Sequence, residues 1–253
     1  MKKHNHVILQ RKSKNQFWIF GVHAVNEALS NNSRVKHSLL ITKNADRSLT
    51  IPKNLPYEIV TKEKLDSLLG KNAVHQGVAL LVSPLENNDI SYAFDKNTVI
   101  ILDQVTDPHN IGAILRSAVA FDIDAVIMPE DNSGKESATL AKTSCGAMEK
   151  MPVIRVSNLV RAIEQLKQNG FWCVGFDGES KNELKDFNFS GKNALVLGAE
   201  GQGMRRLTKE NCDIILRISM SDAMESLNVS NAAAIVLYEA YKAKLSNRTK
   251  AKS

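Results

Sequence analysis

The chain has 253 residues, 43% of them hydrophobic, and a formal net charge of +6. This length suffices for one large domain or two moderate ones with a buried core, and no apolar run reaches the roughly 20 residues of a membrane-spanning helix. Its three cysteines lie far apart and form no CxxC pair, so we expect neither a disulfide framework nor a zinc site. Because no apolar signal core follows the basic N-terminus, we expect a reduced, cytoplasmic setting. Basic residues are dense at both ends, which fits phosphate contacts on a nucleic acid and solvated tails equally well.

The first part of the chain predicts a small α/β domain over residues 17–83. Strand-like and helix-like runs alternate there, and Thr61 is a suitable cap for the second helix. Strands are predicted at 17–20, 38–41, 57–60 and 77–82, and helices at 22–29 and 62–69. Residues 1–16 are polar and basic, which predicts a disordered tail. Residues 84–97 are polar and rich in turn-forming residues, which predicts a linker between domains.

Residues 98–245 predict a second α/β domain, followed by a basic tail at 246–253. The strand at 98–102 is apolar throughout, as is typical of a parallel sheet covered on both faces. Further strands are predicted at 125–128, 153–156, 172–176, 194–197 and 214–218, and helices at 110–121, 138–145, 159–168, 204–209 and 231–240. The predicted fold class is therefore α/β, with a mainly parallel sheet and helices on both sides.

Three stretches of the second domain carry chemical information, and the first contains Asn110 and Arg116. A polar loop leads from the strand at 98–102 into a helix, and ligands of open α/β sheets bind beyond the carboxyl ends of the strands. Arg116 stands among apolar residues, which favours either a structural ion pair with a carboxylate or a guanidinium fork that binds phosphate or a developing anion. Asp107 and His109 are more simply interpreted as loop and turn residues.

The second stretch follows the strand at 194–197 and places Gly198, Gly201 and Gly203 around Glu200. Glycines after a buried strand let the backbone approach a ligand closely. Their order differs from that of the dinucleotide-binding fingerprint. Glu200 is either part of a ligand site or a capping residue for the short helix that follows.

The third stretch runs from Ser226 to Ser230 and leads into the final helix. Ser226, Asn228 and Ser230 are all suitable helix caps, so the plainest interpretation is a helix start. Three capping residues are more than one helix needs, however. The surplus indicates polar groups directed at a ligand beside the helix N-terminus, where anionic groups are favoured.

Taken together and in this order, the three stretches resemble the motifs of the SpoU (TrmH-type) RNA 2′-O-ribose methyltransferases, over about residues 17–245. The resemblance implies a knotted SPOUT catalytic domain with a deep C-terminal trefoil knot, S-adenosyl-L-methionine as cofactor, RNA as substrate, and a homodimer whose active site draws on both subunits. The stretches 20–25 and 73–77 also resemble the ribosomal-protein-like RNA-binding domain of family members that methylate a guanosine of bacterial 23S rRNA.

The resemblance further implies roles for individual residues. Those expected to form the catalytic and substrate cluster are Asn110, Arg116, Glu200, Ser226 and Asn228. Those expected to contact the cofactor, largely through backbone groups, are Leu197, Gly198, Gly203, Ile218, Met220 and Leu227. One position departs from the family pattern, because Ser219 stands where family members usually have a proline that would restrict the backbone.

The expected reaction moves a methyl group to a ribose 2′-hydroxyl, which is a poor nucleophile until its proton leaves. The protein must therefore position the two reactants and stabilise the developing alkoxide. We expect Arg116 to stabilise that charge rather than to accept the proton, because an arginine stays protonated in proteins. Glu200 is expected to orient Arg116 or the RNA, and Asn110 and Asn228 to hold ribose or phosphate oxygens.

Three other functions are open at this point: methylation of tRNA by the same fold, non-catalytic RNA binding, and nucleotide-dependent oxidoreduction. The N-terminal domain favours rRNA over tRNA, because it adds a second contact to a large substrate. The complete motif set argues against a protein that only binds RNA. The order of the glycines argues against an oxidoreductase.

Overall fold

The computed structural model describes residues 15–45, 49–131, 134–221 and 223–250, with side chains described as far as residue 246. The described residues form two compact units. The first comprises the residues up to Glu86 together with Lys135–Lys150, and the second comprises Asn87–Gly134 and the residues from Met151 onward. Most of the predicted disordered tail, residues 1–14, lies outside the described residues. Within these ranges, no helix has the length and apolar character needed to cross a membrane.

Strands and helices alternate along the chain, and every predicted one is present. The strands are β1 (Phe17–Phe20), β2 (Lys36–Ile41), β3 (Tyr57–Ile59), β4 (Val78–Val82), β5 (Thr98–Asp103), β6 (Ala125–Pro129), β7 (Val153–Val156), β8 (Phe171–Phe176), β9 (Lys192–Gly198) and β10 (Ile214–Leu216). The helices are α1 (Val22–Ser30), α2 (Lys62–Leu69), α3 (Pro108–Ala120), α4 (Ala138–Thr143), α5 (Leu159–Gln168), α6 (Arg206–Glu210) and α7 (Val229–Lys250).

Helix α7 differs most from its predicted extent. It begins at Val229, two residues early, and continues to Lys250, through part of the predicted basic tail. No glycine or proline interrupts this stretch, so nothing in the sequence ends the helix earlier. Residues 251–253 lie outside the described ranges.

The first unit is built on a sheet with the strand order β1-β4-β2-β3. Strand β4 is antiparallel to both of its neighbours, while β2 and β3 are parallel. All five residues of β4 are buried, which explains its continuous apolar run. Helix α2 packs Leu65 against Leu40 and Ala79 of this sheet, and the Thr61 side chain accepts a hydrogen bond from the Lys64 N–H at the start of that helix, as predicted.

A buried ion cluster fastens residues 135–150 to the rest of the first unit, whereas the sequence division assigned them to the second domain. The side chain of Arg34 is fully buried and pairs with Glu149 and Glu136, each at 2.7 Å. Burial alone would lower the pKa of Arg34, but hydrogen bonds and charge attraction from the two carboxylates outweigh it and hold the pKa above its ordinary value. Asn31 also donates to Glu149 Oε2, at 2.8 Å.

The second unit contains a sheet with the strand order β10-β8-β9-β5-β6-β7, in which every described pair is parallel. This confirms the prediction of an α/β fold with a mainly parallel sheet. Strand β5 is buried from Val99 to Asp103, and side chains from β5, β6, β8 and β9 form the core with those of α5. Because the strands are parallel, the loops that follow them emerge at one edge of the sheet.

Candidate functional site

The first two motif stretches meet at the carboxyl edge of the second sheet. Strands β5 and β9 are neighbours, and Asp103, the last residue of β5, is aligned with Gly198, the last residue of β9. The loops that continue from these two residues therefore start side by side. The chain leaves β5 toward β6 on one side of the sheet and leaves β9 toward β10 on the other side. Open α/β sheets bind ligands at such a point, where the two connections diverge.

Asp107 fixes the start of α3. Its carboxylate oxygen Oδ1 accepts a hydrogen bond from the His109 N–H at 2.9 Å, and Pro108 occupies the first helical position. Asp107 therefore lies in the turn before α3, as interpreted from the sequence, whereas His109, interpreted in the same way, lies in the first turn of the helix. The cap places Asn110 in the first turn of α3.

The glycine-rich loop after β9 folds back on itself. Ala199 and Gly203 exchange two main-chain hydrogen bonds, of 3.0 and 2.8 Å, which close residues 199–203 into a tight turn with Glu200 exposed. A Cβ atom on Gly198 would overlap the peptide group that joins Gly203 to Met204. Gly198 is therefore required by the close approach of two protein backbones, before any ligand is considered.

Asn228 joins all three motif stretches. Its Oδ1 accepts hydrogen bonds from the N–H and the hydroxyl of Ser230, at 2.9 and 2.6 Å, and so caps α7. Its Nδ2 donates to Asn110 Oδ1 at 3.0 Å and to Glu200 Oε2 at 3.2 Å. The helix-cap interpretation of this stretch is confirmed, and the same amide group also links Asn110 and Glu200 into one cluster.

Arg116 and Ser226 stand apart from this cluster. Both are exposed, and neither side chain forms a hydrogen bond or ion pair with any described residue. The apolar setting expected for Arg116 is wrong, because Ile114, Leu115 and Ala118 turn inward while Arg116 faces outward. The alternative of a structural ion pair finds no carboxylate partner in the described part of the chain. Arg116 lies six residues beyond Asn110, which turns it about 120° away around the helix axis.

The residues expected to contact the cofactor lie at the end of β9, in the loop that follows it, and in the segment between β10 and α7. Leu197 and Gly198 end β9, and Ile218 and Met220 follow β10. In the described part of the chain, the main-chain N–H groups of Ile218, Met220 and Leu227 form no hydrogen bond. Apolar side chains next to unpaired amide groups suit a ligand that carries both a purine ring and a carboxylate, so these residues fit S-adenosylmethionine chemically.

Sequence reasoning missed Glu183, which holds the segment that carries Ile218 and Met220. Its carboxylate accepts hydrogen bonds from Ser219 Oγ at 2.9 Å and Arg217 Nη2 at 2.8 Å, and it pairs with Lys185 Nζ at 2.7 Å. Hydrogen bonds from Lys185, Arg217 and Ser219 lower the pKa of Glu183 to about 2. The serine that departs from the family pattern is therefore held through its hydroxyl, an interaction that proline could not make.

Asp103 is a second residue that sequence reasoning missed. Its carboxylate is fully buried at the end of β5 and accepts hydrogen bonds from the main-chain N–H of Arg205 at 2.9 Å and from Arg205 Nε at 2.7 Å. These bonds fasten the end of the glycine-rich loop to β5. The sequence did hold a signal for this residue, because Asp103 is an acidic residue at the end of an otherwise apolar strand.

Two shielded cysteines, Cys173 and Cys212, lie outside this cluster. Burial raises the pKa of the Cys173 thiol and of the Cys212 thiol to about 12, which keeps both in the unreactive protonated form. Over the described ranges, no three His, Cys, Asp or Glu side chains are grouped as a metal site would require.

Two family models match the chain. Residues 97–238 match the SpoU rRNA methylase family, and residues 18–88 match a domain described as RNA 2′-O ribose methyltransferase substrate binding. The chain belongs to the SpoU rRNA methylase family, and it is an RNA methyltransferase.

Similar proteins agree with this assignment along most of the chain. A 23S rRNA (guanosine-2′-O-)-methyltransferase from Vibrio vulnificus is 39% identical over 92% of this chain and 99% of its own length. The enzyme of the same name from Escherichia coli K12 is 40% identical over 88% of this chain and 96% of its own length. Among solved structures, the SpoU methyltransferase AviRb from Streptomyces viridochromogenes, in complex with AdoMet, has the same fold, with a TM-score of 0.78, 23% identity and coverage of 92% and 91% of the two chains.

Proposed function

We propose that this protein transfers a methyl group from S-adenosyl-L-methionine to the ribose 2′-hydroxyl of a guanosine in 23S rRNA, in the cytoplasm. The observation that carries the proposal is the Asn228 junction, which brings Asn110 and Glu200 together from loops far apart in the sequence. The names of the relatives that match most of the chain support the choice of nucleotide and RNA.

The cofactor is held by Leu197, Gly198, Gly203, Ile218, Met220 and Leu227. S-adenosylmethionine supplies an electrophilic methyl group when it is bound. The unpaired amide groups of Ile218, Met220 and Leu227 donate to its polar groups. The hydrogen bonds of Ser219 and Arg217 to Glu183 keep this segment in place before binding. A trefoil knot in this part of the chain stays a prediction.

Asn110, Glu200 and Asn228 orient the RNA. Because Asn228 uses its whole amide group within the protein, its direct role is to fix its two neighbours. The Asn110 Nδ2 group and the second oxygen of Glu200 are then available for ribose or phosphate oxygens and hydroxyl groups. Ser226, which is exposed and whose side chain bonds to no described residue, adds a hydroxyl donor.

Arg116 stabilises the developing alkoxide, and it does so in the site of a second copy of the chain. Within one chain it points away from Asn110 and meets no carboxylate among the described residues. An exposed guanidinium with no partner is suited to bind anionic oxygen on another molecule. The protein is accordingly a homodimer. Ile235, Tyr238 and Leu245 support this, because they form an exposed apolar stripe along one face of α7.

Label transfer to defined RNAs tests the proposal. The protein is incubated with tritiated S-adenosylmethionine and either unmodified 23S rRNA or bulk tRNA, and the labelled nucleotide is mapped. We expect label on the ribose of a single 23S guanosine. Label on tRNA alone would mean that tRNA, and not 23S rRNA, is the substrate. Cofactor binding without label on either RNA would indicate that the substrate is a precursor particle of the ribosome. No cofactor binding at all would refute the enzymatic role.

A further inference from the structure

A wide groove lies on the first unit, at the carboxyl ends of the parallel strands β2 and β3. It encloses about 1120 Å³. Its walls are residues 42–45 after β2, residues 59–62 between β3 and α2, and residues 71–77 before β4. The cluster around Asn228 uses none of these residues.

The walls of this groove are held in place by hydrogen bonds. Thr42 donates its main-chain N–H to the Gly77 carbonyl at 2.8 Å. Gly77 has a φ angle of +80°, and a Cβ atom there would overlap the Thr42 hydroxyl. His75 is buried, with Nε2 3.1 Å from Asp66 Oδ1, and its Nδ1 accepts the Gly77 N–H at 3.0 Å. These hydrogen bonds within the protein fix the shape of the walls.

The groove is positively charged. Lys43, Lys62 and Lys71 line it, are exposed, and form no ion pair with any described residue. Asp66 is the one acid among the described lining residues, and its carboxylate is engaged by His75. Three lysines without acidic partners attract phosphate groups, because contact with a polyanion releases its bound counterions.

Groups that recognise nucleobases accompany the lysines. Asn44, Asn72 and Gln76 are exposed amides on the walls. The Gln76 oxygen accepts the Val22 N–H at 3.0 Å, which leaves its amino group free to donate. Val74, whose exposed fraction is 62%, provides an apolar surface beside them. Unpaired RNA bases offer hydrogen-bonding edges and flat apolar faces, and such single-stranded segments are the usual target of sequence-specific recognition.

We propose that this groove binds an unpaired segment of the substrate RNA, with the lysines on its phosphates and the amides and Val74 on its bases. The identity of the RNA rests on the proposed function. The match of residues 18–88 to a substrate-binding domain names no face of that domain, and the groove is the face whose charge and polar groups suit RNA. The groove supplies a contact separate from the methyl-transfer site.

Two charge-matched variants of the full-length protein test the groove. Lys43→Glu/Lys71→Glu removes two groove lysines, while Lys53→Glu/Lys64→Glu makes the same charge change at exposed lysines of the first unit outside the groove. Equilibrium binding to an unmodified 23S rRNA transcript is measured over a series of salt concentrations. We expect the groove variant to bind on the order of tenfold more weakly, and the slope of log affinity against log salt to fall by about 1.4 to 1.8, as two lost phosphate contacts require. We expect the control to change by less than about twofold.

Equal affinities and equal salt slopes for the two variants would overturn the proposal, as would a wild-type protein that does not bind the transcript. Lys43→Gln/Lys71→Gln gives a second test that adds no negative charge, and thermal unfolding checks that each variant is folded. In the methylation assay, the groove variant should raise the KM for RNA and leave kcat and the binding of S-adenosylmethionine unchanged. The binding comparison remains decisive even if the wild type transfers no methyl group, so failure of the groove and failure of the proposed function are distinguishable.

Discussion

Arg34 and Arg116 place the same side chain in two opposite settings. Arg34 is fully buried between Glu149 and Glu136, which satisfy its charge within the protein. Arg116 is exposed and meets no carboxylate in the described part of the chain. The difference shows how an arginine with a structural role can be distinguished from one that binds a ligand. The first is neutralised by its own fold, and the second keeps its hydrogen-bond donors for another molecule.

Replacement of each arginine by methionine should change the free energy of unfolding by very different amounts. Arg34→Met leaves two carboxylates without their partner in the interior, so we expect the free energy of unfolding to fall by about 3–5 kcal/mol. Arg116→Met removes no internal interaction and should change it by less than about 0.5 kcal/mol. Urea unfolding measures both, and similar losses for the two variants would contradict the contrast.

Replacement of Arg116 by lysine should separate charge from geometry in the reaction. Arg116→Lys keeps the positive charge and loses the planar pair of donors. We expect methyl transfer to fall on the order of a hundredfold, the effect of removing one donor to a developing oxyanion. Binding of S-adenosylmethionine, measured by calorimetry, should stay near the wild-type value. Wild-type turnover in this variant would refute the role of Arg116.

Two substitutions of Asn228 should distinguish its role as the cap of α7 from its role in linking Asn110 and Glu200. Asn228→Ala removes both and should cost about 1 kcal/mol through the lost cap of α7. Asn228→Asp keeps an oxygen for the Ser230 N–H but no longer donates to Asn110 and Glu200. We expect Asn228→Asp to keep most of the stability and lose methyl transfer. If aspartate restored activity as well, the junction would have no role beyond capping.

Ser219 should have the smallest effect. Ser219→Ala removes one donor to Glu183, so we expect the affinity for S-adenosylmethionine to fall by only a few-fold. The pKa of Glu183 should rise from its value of about 2 in the same variant, as an NMR titration of the carboxyl group would show. Because the folded pKa lies below the ordinary value, the pairing is complete above that value and is lost as the pH falls toward 2. An unchanged titration would mean that Ser219 does not hold Glu183.

The sequence predicts local features of the fold well. Apolar runs locate the strands of the parallel sheet, and the capping residue Thr61 locates the start of α2. The setting of Arg116 was open to prediction too, since Ile111, Ile114, Leu115 and Ala118 define the buried face of α3 and exclude it. The helical spacing of these apolar residues predicts that Arg116 is exposed. The prediction of an apolar setting was wrong because it considered only which residues are neighbours of Arg116 in the sequence.

Contacts between distant parts of the chain could not be predicted in the same way. Asn110 and Asn228 are 118 positions apart, and only the strand order of the sheet brings them together. The pairing of Glu183 with Ser219 depends on the same order, because it links the loop after β8 to the segment after β10. Strand order is set by packing of the whole unit, which no local pattern encodes.

The Arg34 cluster also constrains the sequence of events during synthesis. Its partner Glu149 follows 115 positions later in the chain. At a translation rate of about 5–20 residues per second, Arg34 leaves the ribosome on the order of ten seconds before the carboxylate that neutralises it. A nascent chain that ends at Glu86 carries the whole four-stranded sheet but neither acid of the cluster. The first unit is first in sequence, yet its assembly is completed only after β5 and β6 of the second unit have been made.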